Sequence, residues 1–296
     1  MDWKEYESIV IDECERVYGR SHVRRNVFIK GVFSGTKRQI DILVDDIERA
    51  PGDKIVYEVK YYARKINIKI VEAFISMLKD VGIEKGVMVS EKGFSKAAIR
   101  RAHVGEESIE VDILSLGEWQ QSHSPLAIPY AGENALIVSS PFGWIVDCDG
   151  RGFSLATLYQ RGVTFEYAVE KLREWMYLSF WRKDADAKTI KDLLGLQKEK
   201  SLPEDAFVQV YEDGDVTVRK VFVSWYPTPE VTVFRDFGEY IGFAVLFCPE
   251  PVLARDLKKA ILVMRRAIPA CIRDETKGRE GNESQRVIKV SIESHQ

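Results

Sequence analysis

The chain has 296 residues, 45% hydrophobic and 30% charged, with a formal net charge of −3. Such a length suits two domains, and such a balance suits a globular protein. No apolar run is long enough to span a membrane and the start lacks a signal-peptide apolar region, so a cytoplasmic protein with no membrane partner is expected. Cys14, Cys148, Cys248 and Cys271 are widely spaced and form no Cys-x-x-Cys pair. They read as buried free thiols of a reducing compartment rather than a zinc site.

Trp3 to Tyr18 has helical periodicity, with Trp3, Tyr6, Val10, Cys14 and Val17 on one face. Glu7 falls within that stripe, whereas Glu5 and Asp12 point away. Two environments stay open for Glu7: facing inward, or lying at the stripe's edge and reaching water. Val23 to Phe33 reads as a strand, and Ser34-Gly35-Thr36 as the turn into a second strand.

The stretch Gln39 to Lys60 carries the chemistry. Ile40–Val44 and Ile55–Val59 are strand-like runs joined by a connector containing Ala50-Pro51-Gly52-Asp53, a turn signal. Asp41 interrupts the first run and Glu58 the second, and Lys60 follows. If the strands pair antiparallel with Val44 opposite Ile55, Asp41 faces Glu58 directly, with Cβ atoms roughly 5 Å apart. Lys60 shares the face of Glu58 because side chains alternate. A carboxylate inside a strand is costly unless it is paired, and two on adjacent strands suggest a metal ion as the partner.

Beyond Lys60, Ile68, Val71, Ile75 and Leu78 mark a helix closing near Gly82. Lys85–Ser90 is a strand that the crossover rule sets parallel to the Glu58 strand. Ser95 caps a short helix through Arg101, and Ile109–Leu114 is a last strand. From Lys60 to Arg101, ten basic residues face four acids, a segment charge of +6. A basic surface beside carboxylates suits a phosphodiester substrate; a solvated helical face explains the same charges.

Texture changes around Gln121–Pro129, which reads as a linker. The expected domains are 1–121 and 122–296, the second α+β. In it, Ala135–Ser139, Gly143–Asp147, Val231–Phe234 and Ile241–Phe247 read as strands. Phe207–Tyr211 and Val216–Trp225 read as a hairpin around Glu212-Asp213-Gly214. Phe165–Trp181 reads as a long helix bearing Trp175, Phe180 and Trp181, aromatics that serve packing far more often than base stacking. Val252–Ile268 reads as a closing helix. The chain from Asp274 is expected to be a polar tail, with a possible strand at Val287–Ile292. Asp147-Cys148-Asp149-Gly150 lacks the rest of a calcium loop and reads as a turn. The four histidines show no metal spacing, and no glycine pattern cradles a nucleotide phosphate.

Two carboxylates and a backbone carbonyl are hard oxygen ligands of the kind Mg²⁺ takes. A metal there polarises a scissile phosphate and activates water, while a lysine ammonium stabilises charge gathering on the phosphate. A salt bridge on a half-exposed sheet is the competing account of the string alone. In this arrangement Ile40-Asp41 and Glu58-Val59-Lys60 resemble the core of the PD-(D/E)xK nuclease superfamily, most closely Mrr-type restriction endonuclease domains. Val71-Glu72-Ala73-Phe74, Gly86-Val87-Met88-Val89-Ser90 and Gly93-Phe94-Ser95-Lys96-Ala97-Ala98 extend the likeness over residues 1 to about 120.

The resemblance implies a restriction-endonuclease-like αβββαβαβ domain. It implies Asp41 and Glu58, with the Val59 carbonyl, as metal ligands, Lys60 as the catalytic lysine and Glu7 as a helix-borne acid. Ile40 stands where the motif's name has proline. No glutamine follows Lys60 closely; Asn67 is a weak substitute. The expected activity is a Mg²⁺-dependent DNA endonuclease, with Mn²⁺ as a substitute metal, acting in prokaryotic defence or restriction. A homo-oligomer, favouring a dimer, is the expected assembly. A same-fold nuclease acting on RNA or branched DNA is one alternative. A non-catalytic nucleic-acid-binding module with a structural carboxylate site is the other.

Overall fold

The computed structural model describes residues 1–46, 53–104, 108–117, 126–149, 151–152, 154–184, 186–224, 228–276 and 286–292. The Ala50–Gly52 turn and the linker residues 121–125 lie outside the described residues. The chain divides into two compact units, Met1–Ser124 and Pro125–Gln296.

The first unit opens with helix α1, Trp3–Tyr18. Asp2 and Glu5 form a capping box, each side chain accepting the other's backbone N–H. Tyr6, Val10, Ile11 and Cys14 are buried. Trp3 points along the same stripe but sits in the first turn and is 57% exposed, and Val17, in the last turn, is also exposed. Only the middle of the helix is covered, which corrects the inward placement of its two end residues.

Five strands follow: β1 (Val23–Lys30), β2 (Lys37–Asp46), β3 (Asp53–Lys60), β4 (Lys85–Ser90) and β5 (Glu110–Leu114). They form one sheet in that order, antiparallel across β1, β2 and β3 and parallel across β3, β4 and β5. Helices α2 (Ile68–Val81) and α3 (Lys96–His103) supply the two crossovers that parallel neighbours require. Asn67 and Ser95 cap them by accepting the N–H of Ile70 and Ala98. Gly82, at φ +67°, ends α2 in the left-handed conformation. Ile40, Leu43 and Val56 of the sheet pack with Phe74 and Leu78 of α2 and Ala98 of α3.

Strand β1 stops at Lys30, short of the Phe33 that periodicity suggested. From Gly31 the chain enters a tight loop, and a buried carboxylate on α2 organises it. Asp80 accepts the backbone N–H groups of Phe33 and Ser34, the Ser34 hydroxyl and the Arg38 guanidinium. The Phe33 and Ser34 amides are spent on this carboxylate, so no ladder acceptor takes them.

The second unit holds a seven-stranded antiparallel sheet ordered β12-β13-β14-β15-β11-β10-β9. These strands are β9 (Trp144–Asp147), β10 (Ala156–Gln160), β11 (Trp175–Arg182), β12 (Phe207–Asp213), β13 (Val216–Phe222), β14 (Glu230–Asp236) and β15 (Tyr240–Phe247). A second sheet joins β6 (Leu126–Ala127), β7 (Tyr130–Ala131), β8 (Asn134–Ser139), β16 (Ile268–Thr276) and β17 (Arg286–Ile292). Helix Leu253–Arg266 packs Leu257, Ala260 and Met264 into a core with Val218, Val233 and Leu246.

Three expectations for this unit are corrected. Phe165–Trp181 is not a long helix: short helical turns end at Arg173, whose φ is +55°, and Trp175–Arg182 is a strand. Met176 and Leu178 are buried in alternation, so the period is 2, which bulky aromatics favour. Trp175 stacks on its cross-strand partner Phe247 with centroids 4.8 Å apart, so this aromatic cluster packs the sheet. Asp274–Thr276, read as the start of a tail, belong to β16 and pair with β17. Strand β10 and helix Ile190–Ser201 were not anticipated. All four thiols are free, but only Cys14 and Cys248 are buried; Cys148 is exposed and Cys271 half-buried. Among the described residues no helix is long and apolar enough to cross a membrane.

Gly86 tests the packing of the first unit. A Cβ there would lie 2.5 Å from Leu78 Cδ1 and 2.7 Å from the Phe74 ring. Gly86→Ala is therefore expected to destabilise the first unit by about 1–3 kcal/mol. Denaturant unfolding of the full chain measures this, and an unchanged midpoint would contradict the packing described.

Candidate active site

Strands β2 and β3 pair from Asp46↔Asp53 through Val44↔Ile55 to Ile42↔Tyr57. The register assumed from sequence is the observed one, but the ladder stops one pair short of Asp41 and Glu58. At the break, the Asp41 carboxylate accepts the Val59 N–H at 3.0 Å. A side chain thus takes the place of a backbone acceptor. The other neighbour is disturbed at the same level: Asn26 adopts φ +48°, and no pair forms between Arg25↔Ile42 and Val27↔Ile40. A strand residue sends its N–H and C=O to the same edge, so the Val59 carbonyl faces the gap its N–H spans.

Lys60 Nζ bonds Glu58 Oε1, and the two side chains are only 22% and 18% exposed. Burial raises the Glu58 pKa and the charge of Asp41 raises it further, while Lys60 pulls it back. Burial alone would lower the Lys60 pKa, but Glu58 and Asp41 outweigh it and the ammonium is held more firmly than usual. Glu7, half-buried on α1, is raised by burial and by Asp41. The four residues singled out in the sequence therefore form a chain of interactions: Glu58 and Asp41 act on Lys60, and Asp41 acts on Glu7. Glu7 enters through the field of Asp41.

Among the described residues, no three His, Cys, Asp or Glu side chains converge into a preformed metal cage. The donor set still suits a hard divalent cation in its chemistry. Two carboxylates and a backbone carbonyl offer oxygen alone, and the charge of Asp41 raises the pKa of both Glu58 and Glu7.

Several neighbours escaped sequence reasoning. Tyr6 is fully buried with no hydrogen-bond partner for its hydroxyl, its ring 5.4 Å from that of Tyr61. Burial and the charge of Glu91 push its phenol up. A cavity of ≈310 Å³ opens just past Lys60, lined by Tyr62, Ala63, Arg64, Lys65, Asn67 and Ile70. Arg64 and Lys65, with Lys96 and Arg100 of α3, are exposed members of the basic segment. Lys85 and Lys92 are instead paired with Asp53 and Glu91. Asn67 spends its carbonyl on capping α2, which argues against a glutamine-like role. For Tyr6 and the cavity wall, the signal in the sequence is the Tyr61-Tyr62 pair beside Lys60; the basic residues belong to the segment already noted.

A meander carrying paired acids, closed by two helical crossovers, defines an α/β unit compatible with the restriction-endonuclease-like fold. Residues 1–120 match the Mrr_cat family, described as restriction endonuclease, which suggests a nuclease of that type. Beyond residue 120 the family match does not extend. No curated protein matches the chain. Two solved structures are similar to parts of it. The solution structure of cyanobacterial PsbP (CyanoP) from Synechocystis sp. PCC 6803 is 12% identical over 49% of this chain and 92% of that one, with a TM-score of 0.30. A crystal structure from Bacteroides thetaiotaomicron VPI-5482 is 13% identical over 45% of this chain and 48% of that one, with a TM-score of 0.25. Superposition that poor carries no argument about either unit.

Asp41 raises both Glu7 and Glu58. Asp41→Asn is therefore expected to lower the pKa of both glutamates, read from carboxyl carbon shifts in an NMR pH titration. Two unmoved titrations would show that the three acids do not share a site.

Proposed function

We propose that the first unit is a metal-dependent endonuclease that hydrolyses phosphodiester bonds, with DNA as its substrate and restriction or defence as its setting. The observation that carries this reading is the strand split. Asp41 and Glu58 stand where two strands part, Lys60 touches Glu58, and Asp41 is held by the Val59 amide. A structural salt bridge needs one acid and one base; here Asp41 and Glu58 share one lysine, and Glu7 feels the charge of Asp41 besides.

Asp41, Glu58 and the Val59 carbonyl would hold the metal, Mg²⁺ or Mn²⁺. Bound there, it would polarise the scissile phosphate and lower the pKa of an attacking water. The Val59 N–H fixes the Asp41 carboxylate through one oxygen. Lys60 stays protonated because two carboxylates hold it so, and it is placed to stabilise negative charge building on the phosphate. Glu7, with a raised pKa and partial exposure, is suited to hold or orient a proton near Asp41. Arg64 and Lys65, at the cavity beside Lys60, suit the flanking phosphates.

Full-length protein tested on plasmid, single-stranded DNA and RNA, with Mg²⁺ and with EDTA, distinguishes the substrates. Asp41→Asn is expected to abolish cleavage and calorimetric Mg²⁺ binding while the fold survives; wild-type metal affinity in that variant would sink the metal assignment. Lys60→Ala is expected to cut turnover by orders of magnitude and leave DNA binding nearly intact. Equal loss of both would make Lys60 one phosphate contact among several. Glu7→Gln is expected to lower activity strongly at limiting Mg²⁺ without lowering the melting temperature, because it removes a repelling charge. Full cleavage by that variant would confine the site to Asp41, Glu58 and Lys60.

A further inference from the structure

Past the strand split, β1 and β2 continue as a two-stranded arm whose far end is the Gly31–Thr36 loop. Phe33 at its tip is 82% exposed, Val32 beside it 71%, and Phe28 on β1 62%. Exposed apolar side chains are commonly tolerated on mobile loops, but this loop is held. Asp80 anchors two of its amides and the Ser34 hydroxyl, and the Asp80 carbonyl accepts the Val32 N–H. The Ser34 hydroxyl and amide, the Arg38 guanidinium and the Phe33 amide hold the Asp80 carboxyl far below the usual range. A fixed loop that holds two apolar side chains in water is built to present them.

Charge indicates the partner. Lys30 and Lys37 face each other across the ladder, both exposed. Like charges in that position are destabilising without an anion between or beside them. No carboxylate occurs from Val27 to Ile40. The arm's outer strand, β1, is a sheet edge, but it is poorly suited to accept another strand. It carries Lys30, no acid, and the positive-φ Asn26 in its middle, while Arg24 and Arg25 are paired with Asp45 and Glu15; charge and kinks are what blunt an edge.

The arm is also within reach of anything held at the carboxylates. Lys37 lies four residues from Asp41 along the chain, hence at most about 14 Å away, and Phe33 at most about 29 Å. One turn of duplex is about 34 Å.

We infer that the β1–β2 arm is a second contact with duplex DNA, in which Lys30 and Lys37 take backbone phosphates and Phe33, supported by Val32, wedges against a base step. This rests on the nuclease reading of the same unit and adds to it an element that touches the duplex away from the scissile bond. Apolar wedges flanked by phosphate contacts are a general means of gripping and kinking a duplex.

The test is binding of the full chain to a labelled linear duplex across a salt series in EDTA, where nothing is cut, followed by cleavage of plasmid with Mg²⁺. Lys30→Ala with Lys37→Ala is expected to make the slope of log affinity against log salt shallower by about 2. Phe33→Ala is expected to keep the slope, weaken binding about tenfold and abolish the brightening of 2-aminopurine placed along the bound duplex. All three side chains are exposed, so unchanged melting temperatures confirm folded variants. Wild-type binding and slope in every variant, with cleavage intact, would overturn the arm and spare the nuclease. Arm-dependent duplex binding without any metal-dependent cleavage would support the arm and sink the nuclease. A variant that shifts sedimentation of the protein alone, leaving DNA binding unchanged, would make the arm a contact between copies and overturn the inference.

Discussion

The bond from the Val59 N–H to the Asp41 carboxylate is the constraint on which the first unit's chemistry depends. A buried amide left without an acceptor is costly, and at the end of the β2–β3 ladder the neighbouring strand no longer supplies one. Asp41 supplies it, and is thereby fixed in the opening between two strands. Fixed there, its charge reaches Glu58 on one side and Glu7 on the other, and helps hold Lys60 protonated. A carboxylate on a solvated face would be screened and would impose none of this. The strand split and the clustering of charge are two aspects of one local arrangement.

Much of that arrangement was legible because it is local. Turn residues, caps and β-branched runs between Ile40 and Ser95 are signals read within a few residues, and the Val44↔Ile55 register follows from matching two apolar runs. What sequence did not disclose is what depends on contacts distant in the chain. Asp80 organises the 31–36 loop from more than forty residues away, so the end of β1 was misplaced. The positive φ of Asn26 answers a disturbance on the next strand, and nothing at Asn26 itself announces it. Trp3 satisfies the helical stripe by angle, yet no neighbouring element covers the first turn. In the second unit, 165–181 fits a helical period through its aromatics, but the turn at Arg173 divides it and cross-strand stacking with Phe247 decides for a strand.

The second unit also buries charge, in a different manner. Glu174 and Asp256 are almost fully buried and bridged by Arg255, which donates to Glu174 at 2.6 Å and to Asp256 at 2.8 Å. Gln160 donates to Glu174 at 2.6 Å, and Lys259 stands 3.7 Å from Asp256 and over the Trp144 ring. Burial and Asp256 raise Glu174 all the same. Here two acids meet two bases with hydrogen bonds to spare, the condition under which buried ions are tolerated. The contrast sharpens the reading of the first unit, where Asp41 and Glu58 share one base and Glu7, among the described residues, has none.

The two ends of α2 connect the carboxylate site with the arm. Its N-cap, Asn67, lines the cavity beside Lys60, and Asp80, in its last turn, holds the loop that carries Phe33. A fourteen-residue helix is about 21 Å long, and its inner face is locked by Val71, Phe74, Ile75 and Leu78. Position at one end is therefore transmitted to the other by a rigid body, without help from the flexible parts of the chain. Asp80 would be an extravagant residue if its task were only to close a hairpin, since two-residue turns close hairpins unaided. A buried carboxylate that spans from helix to loop makes sense when the distance between the loop and the strand split has to be kept. That requirement arises when both ends engage one long, stiff, anionic molecule.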